Sequence, residues 1–523
     1  MKFNNPILSG LNPDPSIIRV GNDYYIATST FEWFPGVQIH HSTDLVNWKV
    51  VTHPLKTSQQ LDLKGVPDSC GVWAPCLSYH EGIFYLVYSN VKSFDGVWKD
   101  TPNYLVTTND ILGEWSAPIY LSSVGFDGSL FHDLNGKKWF TSMIVDHRKG
   151  KFFGGIILQE YSQELNRLLG KSKLIFEGSE IGKTEGPHIY QKDGYYYLLT
   201  AEGGTEYGHA VSIARSREIE GPYELHPQNP ILSAANLPEH PLQKCGHADL
   251  VQTKEGYWLI VFLVGRPLTV KGRCILGRET AIEELSWPEG QWPELVNGNR
   301  LPRLTNGMED SEVCKTQIFH EFDGVDVPLD FQSLRIPIAE DWCTLKANPS
   351  HVRLYGRESL SSTHNQSLVG CRVQNFHVEV SMKLRFEPIH FQQMAGLVFY
   401  YNTAHYHYLY LSAVDNQKVL NVITCDKGRM VEPLEIPIPI SRNEVILKGV
   451  LNGAELHFAF NDNEKWVPIG EVLDASILSD DYVLNDRGSY KAAFTGAFVA
   501  MCCQDLSGSK LFADFDYFRY QEL

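Results

Sequence analysis

The sequence has no apolar run long enough to span a bilayer, and its start, Met1-Lys2-Phe3-Asn4-Asn5-Pro6, lacks the apolar core of a secretory leader. Positive charge is short: 45 Lys and Arg against 62 Asp and Glu leave a net charge of -17. That balance argues against a nucleic-acid backbone or an anionic membrane as partner, and leaves neutral substrates open. The ten cysteines include no Cys-x-x-Cys pair and no zinc-type spacing, and Cys502 and Cys503 are adjacent. They read as buried free thiols in a reducing compartment, so the expected location is the cytoplasm. Helical periodicity is scarce as well. What fills the chain is strands.

Five segments follow one plan: a polar or aromatic residue, a short strand, a turn containing glycine, and a second strand rich in Tyr, Phe and Leu. They open at Asp14, Trp73, Asp127, Glu185 and His247, at intervals of 59, 54, 58 and 62 residues. Their turns carry Gly21, Gly82, Gly136, Gly194 and Gly256. Glycine turns between aromatic and β-branched runs are hairpin signals, and a repeat slightly above the usual blade length predicts one four-stranded sheet per unit. The fold expected is all-β: a five-bladed β-propeller over residues 1–305, a linker over 306–319, and a jelly-roll-type β-sandwich over 320–523. In a propeller the residues that open the inner strands converge on one end of the axis. The five opening residues are therefore expected to share a pocket.

Three of the five are carboxylates. Hydrolysis of a glycosidic bond needs one carboxylic acid to protonate the leaving oxygen and one carboxylate to act on water or on the sugar carbon. Asp14 and Glu185 suit those roles, with Asp127 as a third charge. Pro13 and Pro15 flank Asp14 and stiffen its backbone. The charges of Asp14 and Asp127 are expected to raise the Glu185 pKa, keeping that residue protonated near neutral pH. Taken singly, each carboxylate is more readily a turn or bend residue than a catalytic one. Their blade register favours a shared site.

Trp73 and the cluster Phe31-Glu32-Trp33-Phe34-Pro35 suit either a stacking floor for a sugar ring or core packing. His247 suits a metal, a central water or a satisfied core position. Arg278 can cross the axis to a hydroxyl or carboxylate, or pair locally with Glu279 or Glu283.

At these residues the chain resembles the family 43 glycoside hydrolases, and among them the two-domain β-xylosidases with a C-terminal β-sandwich. The stretches that carry the resemblance are Asn12-Pro13-Asp14-Pro15, Gly71-Val72-Trp73-Ala74-Pro75, Phe126-Asp127-Gly128-Ser129, Thr184-Glu185-Gly186-Pro187-His188, Gly246-His247-Ala248-Asp249 and Leu276-Gly277-Arg278-Glu279-Thr280. In the second domain Leu354-Tyr355-Gly356-Arg357-Glu358-Ser359 matches too.

The resemblance implies Asp14 as general base, Glu185 as general acid, and Asp127 as the residue that tunes and orients the acid. It also implies inversion at the anomeric carbon, xylose as the sugar released, and Phe31, Trp73 and Arg278 as sugar contacts. Phe494 is the expected contact from a sandwich loop that closes one side of the pocket. His247 matches a central histidine near which some members hold calcium; no cofactor is expected to be required for the chemistry. The expected activity is an exo-acting β-1,4-xylosidase on xylo-oligosaccharides. An α-L-arabinofuranosidase or dual enzyme is the nearest alternative, and a non-catalytic sugar-binding propeller the alternative of another class. A homo-oligomer, dimer or tetramer, is expected through the sandwich.

Overall fold

The computed structural model describes residues 2–148, 152–307, 315–484 and 492–523. Within the first three hundred residues lie five antiparallel sheets of four strands each. Their inner strands are Ser16–Val20, Gly71–His80, Ser129–His132, Glu185–Lys192 and Gln243–Gln252. Each inner strand contacts the next around the ring, and the fifth returns to the first. This is the five-bladed propeller that the spacing predicts.

The turn glycines explain the hairpins. Gly21, Gly82, Gly136, Gly194 and Gly256 adopt φ of +65°, +82°, +86°, +72° and +91°, the left-handed region a tight hairpin turn demands. The second strands, such as Ile83–Val91 and Trp258–Gly265, are buried almost throughout, because neighbouring blades cover both faces. The N-terminal segment clasps the fifth blade: Phe3–Asn4 pairs with Thr305–Asn306, and Ile7 N–H and Leu8 N–H both donate to Thr280 O.

From Gln317 onward the chain supplies all eight strands of one large antiparallel sheet and eight of the nine strands of another, packed face to face around residues such as Val380, Leu397, Phe399 and Phe515. Strand Gln317–His320 already pairs with the C-terminal strand Phe512–Glu522, so residues 317–319, which the sequence reading put in the linker, belong to a sandwich strand. A short α-helix occupies Asp480–Leu484. No helix among the described residues is long and apolar enough to cross a membrane. The nine described cysteines are free and buried; Cys314 lies outside the described residues.

One strand crosses between the domains. Trp33–Phe34, in the first blade's segment, leaves the propeller and pairs with Ser333 and Leu334 at the edge of the nine-stranded sheet. Trp33 is wholly buried and stacks on Phe498 of the sandwich, with centroids 3.6 Å apart and planes at 11°. The aromatic cluster at 31–35 is thus divided: Trp33 and Phe34 weld the domains together, and Phe31 alone faces the pocket described below. Buried cations reinforce the weld. Arg335 of the sandwich donates to Asp68 Oδ1 at 2.7 Å, and Arg372 donates to Leu11 O at 2.6 Å.

Candidate active site

At or near the start of each inner strand lies a residue with left-handed backbone in equivalent position: Asp14 (φ +54°), Ala74 (+37°), Asp127 (+57°), Gly186 (+56°) and His247 (+43°). In the second, fourth and fifth blades that residue lies inside a break of register, between Trp73 and Cys76, Glu185 and His188, and Gly246 and Ala248. A bulge with one residue in the left-handed region re-aims the side chains beside it. The structural repeat therefore runs through Ala74 and Gly186, one position beyond the Trp73 and Glu185 that the sequence reading aligned. For a residue other than glycine this conformation costs about 1–2 kcal/mol. Four of the five blades bear that strain, and it falls on the residues that face the axis.

Asp14 is 7% exposed. Its Oδ2 accepts from Ser29 Oγ at 2.6 Å, and Ser29 Oγ in turn accepts from Ala74 N–H at 2.8 Å. Its Oδ1 lies 3.6 Å from Arg278 Nη1 and 3.7 Å from His247 Nδ1. The Arg278 guanidinium also donates to Thr205 Oγ1 at 2.6 Å and to Phe494 O at 2.7 Å. The local alternative for Arg278 is ruled out, because Glu279 is taken by Arg266 and Glu283 by Arg303. Asp127 Oδ2 accepts the N–H of Gly186 at 3.1 Å, the residue next to Glu185.

Glu185 is half-buried and keeps part of its surface open to the pocket. Burial pushes its carboxyl up to about 8, the nearby Asp14 adds to the rise, and Arg278 and Lys183 oppose it. Asp127 is also held well above the usual carboxylate range, by burial first and then by Glu185 and Asp14. This corrects the expected cause: enclosure outweighs neighbouring charge, and Asp127 itself favours the protonated form in this dry cluster. Burial lowers His247 to about 4, which leaves its ring neutral.

All eight side chains singled out in the sequence, Asp14, Phe31, Trp73, Asp127, Glu185, His247, Arg278 and Phe494, line one pocket of about 770 Å³, open solvent at its mouth included. Trp73 packs edge-on against Phe126 and Phe494, each 5.3 Å between centroids, and tilted against Phe94 at 5.5 Å. The Arg278 guanidinium carbon sits 5.5 Å from the Phe31 ring and 5.4 Å from that of Phe494.

Sequence reasoning missed Phe94, Phe152, Lys183, Thr205 and His209, which also line the pocket. Most lie between repeats, in loops with no register to mark them. Phe126 was within reach, as the residue before Asp127.

Phe494 enters because two glycines let the chains touch. A Cβ on Gly277 would stand 2.7 Å from Thr495 O, and one on Gly496 would stand 2.7 Å from Leu276 O. Among the described residues no group of three or more His, Cys, Asp or Glu is arranged to hold a metal ion.

Comparison with known proteins places this arrangement. The family Glycosyl hydrolases family 43 matches residues 3–293. The chain belongs to that family. A second match, to the Beta xylosidase C-terminal Concanavalin A-like domain, covers residues 320–521. Two curated relatives are similar over nearly their full lengths. The Beta-xylosidase of Bacillus subtilis (strain 168) is 49% identical over 100% of both chains. The Xylosidase/arabinosidase 43B of Humicola insolens is 46% identical over 99% of this chain and 97% of the relative. Among solved structures, a crystal structure of xylan beta-1,4-xylosidase from Bacillus Halodurans C-125 superposes with a TM-score of 0.95 at 49% identity, covering 99% of this chain and 100% of that one. The family 43 fold and the sandwich behind it are thus shared along the whole chain.

Proposed function

We propose that this chain is an inverting, exo-acting β-1,4-xylosidase that releases xylose from the non-reducing end of xylo-oligosaccharides. The observation that carries the reading is the pairing, in one pocket, of a carboxyl pushed up to about 8 at Glu185 with a carboxyl at Asp14 held beside Arg278 and Ser29. Glu185, protonated at neutral pH, gives its proton to the glycosidic oxygen as the bond to the anomeric carbon breaks. Asp14 takes a proton from the water that attacks that carbon from the opposite face. The released xylose then has the opposite anomeric configuration to the bond that was cut. Asp127 holds the Gly186 peptide and so sets the aim of Glu185. Glu185 gives one proton and Asp14 takes one, so the proton transfers balance within the protein and the scheme calls on no metal or cofactor.

The enclosed aromatic pocket, walled on one side by Phe494, suits a single sugar before the scissile bond, and hence exo-cleavage. Time-resolved proton NMR of xylobiose is the test. The α anomer of the xylose released from the non-reducing end is expected first; the β anomer appearing first would recast Asp14 as a nucleophile. A purely sugar-binding propeller predicts no turnover for Glu185→Ala to remove.

A second reading, an α-L-arabinofuranosidase or dual enzyme, is favoured by the name of the Humicola insolens relative. The ratio of kcat/KM on aryl β-xyloside to that on aryl α-arabinofuranoside separates the two. We further propose action in the cytoplasm on imported oligosaccharides, in keeping with nine free, buried cysteines. Self-association into a dimer or tetramer through the sandwich completes the reading, and light scattering of the purified chain tests it.

A further inference from the structure

Ser69 does not line the pocket, yet it joins three groups that shape it. It is fully buried, at φ +58°, just ahead of the second blade's inner strand. Its N–H donates to Glu32 Oε2 at 3.1 Å, and its carbonyl accepts the indole N–H of Trp73 at 2.9 Å. Its hydroxyl oxygen accepts the backbone N–H of Phe494 at 3.1 Å. The other end of Phe494, its carbonyl, accepts from Arg278 Nη2 at 2.7 Å. One pocket ring from the propeller and one from the sandwich are therefore tied to the same residue.

The anchor beneath Ser69 spans the domains as well. Glu32 is wholly buried, and its carbonyl accepts the N–H of Arg335 at 2.8 Å. The Arg335 side chain reaches back to Val66 O and Asp68 Oδ1, each at 2.7 Å, just before Ser69. Asp68 also accepts from the Thr403 hydroxyl of the sandwich at 2.5 Å. The loop that holds Phe494 is thus itself held by the domain from which Phe494 comes. Buried hydrogen bonds that cross an interface at several points favour one arrangement of the groups they join.

We propose that Ser69 is a positioning residue for the sugar that binds in the pocket. It sets the edge-on arrangement of Trp73 against Phe494 and thereby the affinity for the non-reducing-end sugar, without touching that sugar. The inference rests on the pocket being the glycone site of the proposed xylosidase. Trp73 and Phe494 contact the bound sugar in ground and transition states alike, so the effect belongs in KM and in inhibition by free xylose, with kcat little changed.

The variant that tests it is Ser69→Gly. It keeps the N–H and the carbonyl, removes the hydroxymethyl side chain with its hydroxyl, and meets a left-handed φ that glycine adopts freely. Expected is a rise of about five-fold in KM for an aryl β-xyloside and in the inhibition constant of xylose, with kcat within about two-fold of wild type. Tm should not fall. Because Ser69 acts through Phe494, Ser69→Gly made on a Phe494→Ala background should add nothing further.

An unchanged KM in Ser69→Gly, or effects of the two substitutions that multiply, would overturn the inference while leaving the xylosidase reading intact. Should the glycine variant fold poorly, Ser69→Ala removes the same hydroxyl and enters the same cycle. A wild-type chain that neither cleaves xylosides nor binds xylose would instead overturn the functional reading, and this inference with it.

Discussion

Asp127 grips the backbone of Gly186, Oδ2 to N–H at 3.1 Å, and so holds the peptide unit that joins the fourth blade's bulge to Glu185. The role proposed for Asp127, orienting the acid, then runs largely through the main chain. Asp127→Ala is expected to lower kcat by about 10²-fold with KM little changed, because a misaimed acid loses alignment in the transition state and not substrate contacts. Asp127→Asn retains an acceptor for that N–H and should lose less. Steady-state kinetics on xylobiose compares the two, and equal losses would refute a role through the backbone.

The alkaline limb of the pH profile follows from Glu185. Its carboxyl is raised from 4.5 to about 8, so the protonated acid persists through neutrality and kcat should fall as pH rises through about 8. A profile that falls already near the ordinary carboxylate range would contradict the burial of this group.

The same shift has a stability consequence, and its sign is fixed. Raising the folded-state pKa of a carboxyl favours the folded state below the ordinary value of 4.5, and that advantage is lost as pH climbs through about 8. Glu185→Gln, which cannot ionise, should therefore gain in Tm over the wild type at pH 8 and show little difference at pH 4. Thermal melts at the two pH values decide it.

Leaving-group dependence separates the acid from the base. Glu185→Ala should lose about 10³-fold or more on xylobiose, whose leaving sugar needs a proton, and much less on an aryl xyloside with an acidic phenol. Asp14→Ala should lose activity on both alike, since both need the attacking water activated. Parallel losses for Glu185→Ala on the two substrates would remove it from the acid role.

The contact between Gly277 and Gly496 should not tolerate a side chain. Gly277 has φ +73°, and a Cβ there would press on Thr495 O and on Gly496 Cα, at 2.7 and 2.8 Å. Gly277→Ala should cost about 1–3 kcal/mol and move Phe494 off Trp73, raising KM for xylosides. A wild-type KM in this variant would mean that the sandwich loop does not set the pocket wall.

How far each feature was legible in the sequence depends on how far apart its determinants lie. The blades announce themselves locally: a glycine turn and an aromatic strand recur at near-even spacing, and one hairpin needs no other to be read. The carboxylates at Asp14, Asp127 and Glu185 came with that register. The one-residue offset at Trp73 and Glu185 did not, because a bulge changes backbone pairing and leaves the residue types unchanged.

The sequence by itself determined the all-β character, the five-fold repeat, the acidic net charge and the carboxylates proposed as acid and base. Only the tertiary structure decided that Trp33 is a strand of the sandwich, that Arg278 faces Asp14 and not its sequence neighbours, and that Ser69 and Phe494 meet. The reason is physical. Hydrophobic period and turn chemistry act over a few residues and are written in order along the chain. The pairing of buried polar groups is settled by which partners the packed domains bring within hydrogen-bond reach, here across 425 positions of sequence between Ser69 and Phe494.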